Sequence, residues 1–127
     1  MVTDLTRSNE AWAVFTGHTL MVGDLEGTQV ATSAEAGERA LFQSAQRFKT
    51  LPDYLEIFSG AYSGSVCGRS LSGKPISTIG FEKRYNKALL IESEAEFVEM
   101  MLKDVPPASP KADEMRASNS REVAAAE

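Results

Sequence analysis

The chain is short of the residues that carry most metal and redox chemistry: it holds one cysteine and one histidine in 127 residues. A single cysteine excludes an internal disulfide, and a reducing compartment is the simplest setting. No apolar run approaches the roughly 20 residues that a bilayer-crossing helix needs. Met1 to Glu10 is polar and lacks the apolar stretch of a secretory leader. The expectation is a cytoplasmic protein with no membrane attachment. Positive charge is also scarce, with 13 Lys and Arg against 18 Asp and Glu and a net charge of -5. The basic residues are scattered, and the densest pair, Lys83 and Arg84, reads as a solvated helix face. Nucleic acid is therefore not an expected partner, because phosphate binding needs clustered Lys and Arg. There is no dinucleotide-binding Gly-x-Gly-x-x-Gly, no phosphate loop and no Cys-x-x-Cys. Ser63-Gly64-Ser65 does not complete a nucleophile elbow.

What remains is an ordinary globular composition, 43% hydrophobic and 24% charged, in a chain long enough for one core. Met1 to Glu10 is expected to be loosely ordered. Ala11 to Phe15 is apolar and rich in strand formers, and Thr16-Gly17 stops it. Thr19 to Val22 reads as a second strand, with Gly23 to Val30 a loop. Thr32-Ser33-Ala34-Glu35 carries a capping-box pattern that opens a helix from about Ser33 to Lys49. Leu41, Ala45 and Phe48 share one face of that helix. Tyr54 to Phe58 reads as a strand, and Ser59 to Ser72 as a glycine-bearing loop. A short helix is expected from Thr78 to Tyr85. Another follows the Ser93-Glu96 capping box to about Lys103, with Pro106-Pro107 beyond it. The tail from Ala108 is rich in Ala, Ser and charge and is expected to fray. Strand, strand, helix, strand, helix, helix is an α/β order that several folds share.

Two segments narrow the choice. The first is Val14-Phe15-Thr16-Gly17-His18-Thr19-Leu20-Met21-Val22-Gly23-Asp24. The second runs from Ser59-Gly60-Ala61-Tyr62-Ser63-Gly64-Ser65-Val66-Cys67-Gly68-Arg69 through Lys74-Pro75 to Ser77-Thr78-Ile79-Gly80-Phe81-Glu82-Lys83-Arg84-Tyr85-Asn86. Together they resemble the metallo-β-lactamase-fold metallo-hydrolases, in the branch of persulfide dioxygenases and glyoxalase II-like hydrolases. The resemblance covers roughly Ala11 to Asn119. It implies an α/β fold, the C-terminal half of an αββα sandwich, with 1–10 a polar lead, 11–119 a partial domain and 120–127 a frayed tail.

The same resemblance marks where chemistry would sit. The family reads Thr-Gly-Asp-Thr-Leu where this chain has His18, and Pro-Gly-His where it has Ala61. Its His-x-His-x-Asp-His metal motif is absent. His18 is thus the one candidate metal ligand; imidazole binds zinc or iron, but such sites need about three protein ligands. Asp24 reads either as support for a metal ligand or as a turn residue. Tyr62 reads as a site-lining donor or a loop aromatic. Cys67, two residues from Arg69, is either a thiol activated by the guanidinium or a small buried hydrophobe. No catalytic residue is assigned. The expectation is a hydrolase-like chain, incomplete or inactive alone, with no cofactor. The alternative is a half-site subunit of a metal-dependent thioester hydrolase or persulfide dioxygenase, taking zinc or iron when a partner chain supplies the missing half. Homodimerisation is the other partner expectation, through an open sheet face formed by Val14, Leu20 and Ile57.

Overall fold

The computed structural model describes residues 1–26, 34–62, 71–103, 111, 114–115 and 117–118. Its main sheet is built from β1 (Val2–Thr3), β2 (Ala11–Gly17), β5 (Glu56–Ser59) and β6 (Ile76–Thr78), in that spatial order. β2 and β5 are parallel, and the outer strands are antiparallel to their neighbours. β3 (Leu20–Met21) and β4 (Asp24–Leu25) form a separate hairpin. The helices are α1 (Ala34–Lys49), α2 (Ile79–Tyr85), α3 (Lys87–Leu90) and α4 (Glu94–Leu102).

Each helix follows from a local signal. α1 carries Glu35 in its first turn and Arg47 and Lys49 in its last, which complements the helix dipole. The Thr78, Asn86 and Ser93 side chains cap α2, α3 and α4 by accepting from Phe81, Ala88 and Glu96 N–H groups. α1 and α4 are joined on the surface by Arg39, which binds Glu35 and Glu94. Beneath that pair, Phe42 and Phe97 pack with ring centroids 5.4 Å apart. They belong to one core with Val14, Leu20, Leu25, Leu41, Leu55, Ile57 and Leu89.

Four elements depart from the expected order. β1 lies inside the segment expected to be loosely ordered, held by Val2 in register with Ala13. The expected loop after Gly23 instead begins with β4. Val22 and Gly23 make a two-residue turn between Met21 and Asp24, and Gly23 has φ 92, the left-handed value that the third position of a type II turn requires. β6 and α3 are the other additions. Each is only a few residues long, and short segments of that kind carry no measurable periodicity.

The open face is also not the expected one. Val14, Leu20 and Ile57 are buried at 7%, 0% and 0% exposure, because α1 and its neighbours cover that side. The bare side carries the alternate residues. Phe15 is in register with Phe58, and Phe58 with Ile76, so three apolar side chains cross three strands in a row. The Phe15 and Phe58 rings lie 5.6 Å apart. Phe15 is 71% exposed and Ile76 42%.

Gly80 fixes how α2 enters this frame. Its N–H donates to the Asp53 carbonyl at 2.9 Å, and a Cβ there would sit 2.7 Å from Asp53 Cβ. The Asp53 carboxylate in turn accepts from Lys83 Nζ at 2.6 Å. That hydrogen bond, with the nearby charges of Lys83 and Arg84, holds Asp53 below the ordinary carboxylate pKa. Gly80→Ala should therefore cost about 1–3 kcal/mol, the usual penalty for forcing an extra methyl into a packed site. The check is a urea titration in which the midpoint falls and the slope does not.

Candidate functional site

The site sits at the carboxyl ends of the two parallel strands, where open α/β sheets commonly place ligands. β2 ends at Gly17, whose φ of 55 turns the chain into His18. Thr16 fixes the turn: its hydroxyl donates to the Leu20 carbonyl at 2.6 Å, and its own carbonyl accepts from the Thr19 N–H at 3.1 Å. β5 runs alongside and ends at Ser59, and the Gly60 N–H donates to the Gly17 carbonyl at 2.7 Å. The strand ends are thereby laced together.

His18 and the Gly60-Ala61 segment, distant in sequence, come together here. The His18 ring lies against Gly60: a Cβ on that glycine would be 3.2 Å from His18 Cε1 and 3.3 Å from Nδ1. A side chain at this position would press the ring aside by a few tenths of an ångström. Ala61 follows directly and is buried, its carbonyl accepting from the Ser59 hydroxyl at 2.9 Å. Tyr62 is 58% exposed at the rim. Three of the six candidate residues thus converge.

Asp24 does not converge in the same way. It is buried in the β3–β4 hairpin, where its Oδ1 accepts from the Leu25 N–H at 2.9 Å. Cys67 and Arg69 lie outside the described residues. Among the described residues no group of three or more His, Cys, Asp or Glu is placed to hold a metal ion. The His18 imidazole is one donor where about three are needed, and the Ala61 methyl is none. The described donor set does not fit a metal by itself.

Sequence reasoning missed one polar centre nearby. Glu82, 1% exposed, accepts from the Gly23 N–H at 3.0 Å, the Asn86 side-chain amide at 2.9 Å and the Ser77 hydroxyl at 2.7 Å. Asn86 then caps α3 through its Oδ1. One carboxylate therefore ties the β3–β4 turn, β6, α2 and α3 together. The Glu82-Asn86 spacing of four on a helix was the available signal, but nothing in the sequence brings Gly23 to it.

No protein-family model matches the chain, and no curated protein matches it. Solved structures do. The chain is similar to a metallo-β-lactamase from Staphylococcus aureus subsp. aureus COL, at 32% identity and a TM-score of 0.76, over 90% of this chain and 33% of that one. It is also similar to ETHE1 from Myxococcus xanthus, at 26% identity and a TM-score of 0.59, over 83% of this chain and 42% of that one. The architecture is that of the metallo-β-lactamase fold. The chain is similar to part of each of these structures and spans well under half the length of either.

Proposed function

We propose that this chain forms one wall of a metallo-hydrolase-like site and has no metal-dependent activity as an isolated chain. The observation that carries this is the packing of His18 against Gly60 at the strand ends, with the buried Ala61 next in the chain. The resemblance expects two ligands at these positions; one is replaced by another donor, and the other by a methyl group that cannot coordinate. The similarity to ETHE1 supports reading that site in the persulfide dioxygenase and glyoxalase II-like branch. A cytoplasmic location accords with the single cysteine.

A second reading is favoured by the bare Phe15-Phe58-Ile76 row. In it the chain is a half-site subunit, and a partner chain carrying the remainder of the fold lays its own sheet on that row. His18 would then be one ligand of a zinc or iron site whose other donors come from the partner. A second copy of this chain is the competing occupant.

Elemental analysis of the purified chain and of His18→Ala tests both readings. The first expects well under one metal per chain in both proteins. One zinc or iron per chain, lost in His18→Ala, would overturn it. The second expects stoichiometric metal only in the complex with a partner, and the same loss on removing His18.

A further inference from the structure

A separate cavity of about 510 Å³ lies between β6, α2 and the β3–β4 turn. Its apolar wall includes Val22, Ile76, Phe81 and Tyr85. Phe81 and Tyr85 stand one helical turn apart, with ring centroids at 4.7 Å and planes tilted by 46°. Both remain more than half exposed, so two aromatic faces are offered to whatever enters. The polar wall holds the hydroxyls of Ser72, Ser77 and Thr78 and, among the described residues, the carboxylates of Glu56 and Glu82 and one ammonium, that of Lys74.

Three properties select the charge of an occupant. First, neither Glu56 nor Glu82 is ion-paired among the described residues. Second, Glu82 is almost wholly buried, and the donors holding it are all neutral. Among the described residues, Oε2 accepts twice and Oε1 once, from Ser77, so Oε1 can take another donor. Third, aromatic faces attract cations through the ring quadrupole. An anion would meet two carboxylates here, and a neutral apolar group would gain nothing from them.

We propose that this cavity binds an organic cation, a guanidinium or alkylammonium group, held between the Phe81 and Tyr85 rings and the carboxylates of Glu56 and Glu82. The exposed Lys74 opposes it at the mouth and sets an upper limit on affinity. The cation is either a free small molecule or the side chain of an Arg or Lys presented on another polypeptide.

The test is a titration of the full chain followed by amide chemical shifts. The probes are n-butylguanidinium, its neutral isostere n-butylurea, and the peptides acetyl-Gly-Arg-Gly-amide and its citrulline counterpart. Saturable shifts at Ile76, Ser77, Phe81 and Tyr85 are expected with the two cations and not with the two ureas. Tighter binding of the Arg peptide than of n-butylguanidinium identifies a side chain as the natural occupant. Equal or weaker binding identifies a free cation. Glu56→Gln should weaken binding by about tenfold, the scale of one lost charge-assisted contact. Tyr85→Ala should also weaken it, and Lys74→Met should strengthen it. Neither Glu56 nor Tyr85 lies in the buried core, so both variants should fold. Equal binding of the ureas, an unchanged constant in Glu56→Gln, or no shifts with either cation up to tens of millimolar would overturn the proposal.

Discussion

Phe97→Ala should lower the unfolding free energy by about 3–5 kcal/mol, the range for truncating a fully buried aromatic. Phe97 has no exposed surface. With Met101 it carries α4 into the core, and its ring meets Phe42 of α1 at 5.4 Å. Truncation removes the transfer energy of the ring and leaves a cavity that two helices pinned together at Arg39 cannot easily collapse. Leu41, Ala45, Leu89 and Met101 belong to the same core and would lose packing contacts on one side. Urea unfolding followed by circular dichroism measures the effect. A loss under about 1 kcal/mol would show that the site relaxes freely and that α4 is not integral to the core.

Glu82→Leu should be comparably damaging, for the opposite reason. The substitution adds apolar character to a buried position, which by hydrophobicity alone would stabilise. It also strips acceptors from the Gly23 N–H, the Ser77 hydroxyl and the Asn86 amide. A buried donor left unmet costs about 1–3 kcal/mol, and Asn86 is completely buried. The net expectation is a loss of about 3 kcal/mol or more. Ser77→Ala removes only one of the three donors and should cost about 1 kcal/mol. If Glu82→Leu were neutral, the β3–β4 turn and α3 would have to be held in place by packing alone.

These two residues also show how far the sequence could be read. The Ser93-Glu96 capping box and the apolar spacing around Phe97 place α4 from the sequence alone, and the same logic places α1. Both signals are local. The Ala11 to Phe15 strand was legible too, and it extends to Gly17. β1, β4 and β6 were not, because strands of two or three residues exist only through their partners. The bare face was misassigned for a related reason. Leu55 and Ile57 alternate with Glu56 and Phe58, so both faces of β5 contain apolar residues. Alternation separates the two faces without saying which one a helix will cover. At the candidate site, His18 and Ala61 were picked out by resemblance, and the Gly60 contact brings them together. The network around Glu82 joins Gly23 to residues far along the chain, and no local pattern carries that information.

The parallel pairing of β2 with β5 bears on how the chain is made. Ala13 finds its partner Glu56 only after all of α1 has been synthesised between them. Non-local ladders of this kind close late and slowly, because the entropy of bringing distant segments together is lost before contacts compensate. During synthesis, β2 therefore waits with β1 as its one available neighbour and with Val14, buried in the finished fold, unshielded. A ribosome paused before residue 56 would display an apolar strand with one open edge, the form in which chaperones and aggregation compete for a nascent chain.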